Sequence, residues 1–293
     1  MASRIISLNL RHGGGRRIAP LTNWLLSKLP SAVIATEWRN NVPGQHLRNR
    51  LTLGGLVSFL AAPATSQLNT VLLAARGITG SQAATPLNSP VGDLVSISTE
   101  EGFTILGCYF PQRLDKTPFF HRCIELAVRN SHQPFVMIGD FNTGRNDLDI
   151  EGDGVPFDCA DLFAGLPEHA DLVDLWRLRH GERQEWTWRS SKNGFRIDHA
   201  FGNQSFLNRY PNFQCEIDHE PRLFTDGVEQ LVLNFSTQSA FTPFFDRMFN
   251  PIKGAIGGRD RKLSRDLASL LDGPSVCDKT DDDKTLILAK RIQ

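Results

Sequence analysis

The chain has 293 residues, 40% hydrophobic and 22% charged, the ordinary balance of a soluble globular protein and enough for one large layered domain or two smaller ones. Lys plus Arg and Asp plus Glu are both 32, so the basic excess used for broad duplex binding is missing and only a local patch could supply it. No apolar run approaches the roughly 20 residues of a membrane span.

The N-terminal segment is short, lacks a small-residue cleavage site and is expected to be a strand, not a signal peptide. Cys108, Cys123, Cys159, Cys215 and Cys277 are odd in number and contain no CxxC pair, which argues against a disulfide framework and a thiolate zinc site. A reducing cytoplasm is the simplest compartment.

Arg4 to Leu10 is the first expected strand, followed by Arg11, His12, three glycines, Arg16 and Arg17. Such a glycine turn with arginines can cradle a phosphate, although it lacks the spacing and lysine of a P-loop. Helical spacing predicts a helix from Ile18 to Leu29, stopped by Pro30. Ser31 to Thr36 reads as a buried strand ending at Glu37, Trp38 and Arg39. A short helix over 44–53 leads to strands over 55–62 and Asn69 to Ala75. Ser81 to Pro90 reads as a loop. Strands follow over Asp93 to Ser98 and Phe103 to Tyr109, then an amphipathic helix from Lys116 to Ser131.

The chain then reaches PFVMIGDFNTGR, Pro134 to Arg145. Phe135 to Gly139 has the form of a strand buried on both faces, and it stops at Asp140 and Asn142, two residues apart and so on one side of the chain. The acidic run Asp147, Asp149, Glu151 and Asp153 reads as a solvated loop without the glutamate and helices of an EF-hand. Trp176, Trp186 and Trp188 read as core. Phe195 to Asn203 is expected as one strand containing Asp198 and His199, with Asp198 needing a partner. Phe213 to Asp218 and Glu229 to Phe235 complete the strands. Residues 1–236 are expected as one domain, and 237–293 as an extension with a helix near Leu263 to Leu271 and with Phe244, Phe245 and Phe249 available for packing.

Asn9, Glu37, Tyr109, Asp140 with Asn142, and Asp226 thus all stand at strand ends. Five such coincidences suggest a single cleft at one edge of a layered sheet structure.

SLNL, ATEWRNN, CYFPQ, GDFNTG and RIDHAF, in this order between residues 4 and 235, resemble the motif series of the endonuclease/exonuclease/phosphatase superfamily. The resemblance implies an α/β fold, a DNase I-like four-layer α/β sandwich of two packed mixed β-sheets flanked by helices. It also implies phosphoester hydrolysis with a divalent cation, Mg²⁺ with Mn²⁺ as the alternative. By the same resemblance, Glu37 is the principal metal ligand with Asn9 beside it and Asp226 contributing. Asp140 and Asn142 orient the attacking water, Tyr109 hydrogen-bonds the phosphate and Asp198 supports the pair. Arg11, Arg39 and Arg145 fall in loops after the relevant strands and would bind substrate, either nucleic acid or another phosphodiester. No oligomeric state is implied.

Two positions depart from the pattern. Arg11 stands where many members carry a second acid. The family's Ser-Asp-His before the last strand reads Thr225, Asp226, Gly227 here, and glycine cannot exchange a proton. His199 and His219 are the nearest substitutes in sequence, each read first as structural. Alternatives are a non-catalytic phosphate- or nucleic-acid-binding homologue, and a phosphatase of a small metabolite or lipid head group.

Overall fold

In the computed structural model, residues 3–60, 64–86, 92–112, 116–189, 193–218, 233–234, 239–240, 246, 250–251 and 260–273 are described. The chain divides into two compact units, Met1–Ile217 and Asp218–Gln293.

The first unit is built from two mixed sheets. One has β1 (Ile5–Asn9), β2 (Ala32–Trp38), β3 (Val57–Leu60) and β4 (Thr70–Ala75), in the order β1-β2-β4-β3. The other has β5 (Ile78–Ala83), β6 (Asp93–Thr99), β7 (Thr104–Tyr109), β8 (Phe135–Asp140), β9 (Val173–Asp174) and β12 (Asp198–Gly202), in the order β5-β6-β7-β8-β12-β9. A separate hairpin joins β10 (Trp188–Arg189) to β11 (Gly194–Phe195). Within the sheets, β1 runs parallel to β2 and β7 parallel to β8; the remaining pairings are antiparallel.

Period-two alternation sorts the side chains into layers. Ile34 of β2, Val71 and Leu73 of β4, Val95 and Ile97 of β6, Ile105 of β7 and Val136 of β8 fill the space between the sheets. The opposite faces carry helices. Val33 and Ala35 of β2 and Leu72 of β4 pack under α1 (Ile18–Ser27) and α2 (Val42–Leu53) through Leu25, Leu47 and Leu51. Leu106 of β7 and Phe135 and Met137 of β8 pack under α3 (Thr117–Arg129), α4 (Ala160–Ala164) and α5 (Leu166–Ala170) through Phe120, Leu126, Phe163 and Leu166. Each Val, Leu, Ile, Phe or Met among them contributes about 1.5–3 kcal/mol when fully buried. The result is helix, sheet, sheet, helix.

Neighbouring strands β7 and β8 approach closely at Gly139, where φ is +150° and an added Cβ would lie 2.0 Å from the carbonyl oxygen of Cys108, its register partner. A polar clamp crosses between the sheets: Thr70 donates to the buried Asp93 carboxylate, which also accepts from Thr85 at 2.9 Å.

Several expectations are corrected. Ser81 to Ala83 belong to β5, not a loop, because β6 offers that stretch a ladder. The expected strand over Phe195 to Asn203 is broken at Arg196 and Ile197, whose backbones bond out of register: Arg196 N donates to Asp149 O and Ile197 N to Thr187 Oγ1. Phe213 to Asp218 forms no strand. The helices α4, α5, α6 (Leu175–His180) and α7 (Gln204–Arg209) are short and went unexpected. Trp176 and Trp186 are core, but Trp188 is 42% exposed on its hairpin.

The acidic loop is not solvated throughout. Asp149 is fully buried and receives Arg196 Nε at 2.8 Å, the Arg177 guanidinium, and the Arg145 backbone N–H at 2.9 Å. Arg196 continues to Asp174 Oδ2 at 2.6 Å, and Asp174 caps α6 by accepting from Trp176 N and Arg177 N. Burial alone would push both carboxyls up. For Asp174 the His199 imidazole and Arg196 outweigh it, for Asp149 His199 and Arg196 do, and both stay below the ordinary range. The network ties the loop after β8 to the segment before β12.

In the second unit, Leu233–Asn234 pairs antiparallel with Ser239–Ala240, and a helix over Arg261–Leu271 is capped by Asp260. Phe244, Phe245 and Phe249 lie outside the described residues.

Gly139→Ala is expected to cost about 3 kcal/mol or more, from overpacking and a disfavoured φ together, read as a lower urea midpoint. Arg196→Met removes the guanidinium that Asp149 and Asp174 share, and about 3–5 kcal/mol should be lost at neutral pH. Because the folded carboxyls lie below the unfolded value of about 3.9, this stabilisation is complete above about pH 5 and lost as pH falls through the depressed folded range. The wild type should therefore melt progressively earlier in acid, and Arg196→Met should flatten that limb. An acid limb unchanged by the substitution would show that these pairs do not set it.

Candidate active site

Side-chain parity decides what meets at the sheet edge. Ile5 of β1 packs between the sheets and Ile6 and Leu8 under the helices, so Asn9 inherits the inter-sheet side. The same count places Tyr109 with Ile105, Asp140 with Val136, and Asp198 with Ala200. β2 needs a correction in its own backbone. Simple alternation would turn Glu37 toward the helices with Val33 and Ala35, but the register against β4 shifts between Ala35 and Trp38 and Glu37 has φ +52°. The bulge inverts the parity: Trp38 now packs under the helices and Glu37 is turned to the other side.

The side chains then meet. Asn9 Nδ2 donates to Glu37 Oε1 at 3.0 Å and to Asp140 Oδ2 at 3.1 Å. Asp198 faces Asp140 across the β8–β12 ladder, and Tyr109 is the register partner of Asp140 on β7. Asp140 Oδ1 accepts from Asn142 N at 2.9 Å, and Asn142 Nδ2 donates to Phe110 O at 2.8 Å. Asp140 thus closes an Asx-turn with one oxygen and serves the cluster with the other.

Asp140 is 1% exposed. Burial, then the charges of Asp198 and Glu37, push its carboxyl well up. Burial likewise pushes the Tyr109 phenol up to about 12, so it keeps its proton at neutral pH and can donate it.

Backbone strain gathers here too. Of seven described non-glycine residues with positive φ, four belong to this edge: Arg11 (51°), His12 (58°), Glu37 (52°) and Asn142 (48°). Each costs roughly 1–3 kcal/mol unless its surroundings impose it. Arg11 to Gly15 are left-handed without interruption. This turn brings the His12 N–H to Glu37 Oε2 at 2.8 Å and the Arg11 N–H to Asn9 Oδ1 at 2.7 Å.

Of the remaining expected residues, Arg11 is exposed just past β1 and Arg39 follows β2. Arg145 spends its guanidinium on Asp147 of its own loop, at 3.1 and 2.7 Å. Asp226 and Gly227 lie outside the described residues, as does His219. His199 is buried on the helix side of β12 among Phe141, Phe163 and Phe201, and its Nε2 bonds to Thr143 O at 2.9 Å.

Two side chains that sequence reasoning passed over join the cluster, His12 and Asn69. Asn69 reaches Tyr109 Oη at 3.3 Å and Arg39 Nε at 2.6 Å. It stands just before β4, which runs antiparallel to β2, so the start of β4 shares an edge with the end of β2.

Among the described residues no three His, Cys, Asp or Glu side chains form a ready-made metal cage. A magnesium ion needs only one or two carboxylates and completes its octahedron with water and substrate phosphate. The amide nitrogen of Asn9, bracketed by Glu37 and Asp140 oxygens, marks a place where positive charge is wanted and hard oxygen donors converge. Glu37, Asn9 and Asp140 therefore fit such an ion.

No protein-family model matches the chain. One curated relative, serine/threonine-protein phosphatase 3 of Escherichia coli (strain K12), is 41% identical over 71 residues, 24% of this chain; the match spans 28% of that protein's length. An AP endonuclease from Archaeoglobus fulgidus superimposes with a TM-score of 0.60 at 16% identity, over 76% of this chain and 95% of its own. Humanized TDP2 of D. rerio with 14 mutations gives 0.50 at 14% identity, over 68% of this chain and 82% of its own. No described helix is long and apolar enough to cross a membrane. The architecture is thus the DNase I-like α/β sandwich shared with these two solved structures, as the motif resemblance implies.

Proposed function

We propose that the chain is a divalent-cation-dependent phosphodiesterase whose substrates are nucleic acids. The observation that carries this reading is the convergence of Glu37 and Asp140 on the Asn9 amide, with Asp198 facing Asp140 across the ladder and the protonated Tyr109 beside it. The fold shared with an AP endonuclease and with TDP2 supports it.

Glu37 and Asn9 would hold Mg²⁺, or Mn²⁺ in its place. When bound, such a cation would supply Lewis-acid polarisation of a phosphoryl oxygen and offset the charge developing on it. Asp140 accepts the proton of the attacking water, and Asn142 aligns that water. Asp198 holds Asp140 in place across the ladder. Tyr109 donates its O–H to the phosphate. Arg11 and Arg39, and to a lesser degree the Asp147-paired Arg145, give the edge local positive charge despite zero net charge. The described free thiols of Cys108, Cys123, Cys159 and Cys215 fit a reducing compartment such as the cytoplasm.

Gly227 favours a second reading, a homologue that binds phosphodiesters without turning them over. The 71-residue likeness to a protein phosphatase gives lesser support to a small-phosphoester phosphatase.

With Mg²⁺ and a chromogenic phosphodiester, the wild type should turn over, and Glu37→Ala or chelation should reduce the rate at least about 100-fold. Turnover indifferent to both would remove the reading. Gly227→His should raise the rate by up to about 10²- to 10⁴-fold, the usual worth of a general acid or base. No gain would mean that position 227 does not occupy the motif histidine's place.

A further inference from the structure

Asn69 makes more contacts than a turn residue needs. Its Oδ1 accepts from Arg39 Nε at 2.6 Å, while its Nδ2 donates to Tyr109 Oη at 3.3 Å and reaches His12 Nδ1 at 3.2 Å. A guanidinium has only donors, so the amide oxygen must face Arg39, and the orientation of the whole amide follows. Arg39 Nη2 also meets His12 Nδ1, at 2.9 Å. That nitrogen must therefore carry a lone pair, and a neutral imidazole then holds its proton on Nε2. The 3.3 Å approach of His12 Nδ1 to Glu37 Oε2 is consequently lone pair against lone pair and no ion pair; Glu37 is served instead by the backbone N–H of His12.

The consequence is directional. The Tyr109 oxygen accepts from Asn69, so its own proton points elsewhere. The Nδ1 edge of His12 faces inward, so Nε2–H lies on the outer edge of a ring whose side chain is 70% exposed. Arg39 commits Nε and Nη2 inward and has Nη1 without a partner among the described residues. One carboxamide sets the outward face of three donors.

We propose that Asn69 is the positioning residue of a phosphoryl-oxygen receptor, aiming Tyr109 O–H, Arg39 Nη1 and His12 Nε2–H at one phosphate group. The assignment rests on the phosphodiesterase reading of this edge and names the side chains that receive the substrate phosphate. It gives His12 a place as a neutral donor.

The test titrates inorganic phosphate calorimetrically into Mg²⁺-loaded protein and follows the imidazole ¹⁵N shifts of His12. Asn69→Leu is neutral and similar in volume; it should weaken phosphate about ten- to a hundredfold, the worth of oriented donors to a charged acceptor, with Mg²⁺ affinity and Tm unchanged. Asn69→Asp keeps the bond to Arg39 but presents an acceptor to Tyr109 and His12. It should weaken phosphate at least as much and move the His12 proton to Nδ1. His12→Phe, with folding checked by Tm because position 12 is left-handed, should weaken phosphate by about tenfold, and His12→Gln should recover part of it. Phosphate affinity unchanged in Asn69→Leu or in His12→Phe would overturn the assignment, as would a wild type that binds no phosphate. A wild type without turnover whose phosphate binding still depends on Asn69 would remove the phosphodiesterase reading alone. Normal turnover with Asn69-independent phosphate binding would remove this one alone.

Discussion

A single left-handed residue, Glu37, determines which way the edge of the four-stranded sheet faces. In an unbroken strand its carboxylate would lie with Val33 and Ala35 under the helices, where an isolated charge is costly. The bulge exchanges it with Trp38, which takes the apolar side, and the acid reaches Asn9. The strained backbone is thus stabilised from both directions: a large indole buried on one face and two hydrogen bonds to the carboxylate on the other, from Asn9 and the His12 N–H. Strain retained at such a point is characteristic of sites where side-chain aim matters more than local comfort.

The two acidic clusters of the first unit differ in how their charge is balanced. Asp149 and Asp174 lie against Arg196, with Arg177 beside Asp149, and their carboxyls stay ionised well into acid. Asp140 has no cation among its described partners; amides and backbone N–H groups surround it, and its carboxyl is pushed up by burial and by its acidic neighbours. The first arrangement is satisfied within the protein and serves the scaffold. The second is left electrostatically incomplete, and chemistry is supplied from outside at such places. The first cluster also steadies the second, because Asp149 holds the loop that leaves Asp140 and Asn142, and Thr187 holds the backbone of Asp198.

The donors around Tyr109 show the same economy of means. Asn69 has neither charge nor reactivity, yet its three contacts set the direction of a phenol, an imidazole and a guanidinium. The outward edge of the site is therefore positive and donating, and the inward edge is acidic, a polarity suited to a phosphate held over a cation.

Local pattern alone determined most of this protein's architecture. Apolar runs and their alternation located β1, β2, β4, β6, β7 and β8 and the longer helices, since burial of one or both faces is a property of neighbouring residues. The same runs ended at Asn9, Glu37, Tyr109 and Asp140, which the fold brings to one edge. What escaped depends on distant pairing. β5 exists because β6 lies beside it, the break at Arg196 exists because Asp149 waits across the loop, and two-residue strands carry no periodicity to read. Asn69 and His12 join the site only because β4 runs opposite to β2 and the turn at Arg11 to Gly15 coils left-handed. Sequence names the residues that can do chemistry. Direction of strands and handedness of turns decide which of them face one another, and those are set by contacts between positions far apart in the chain.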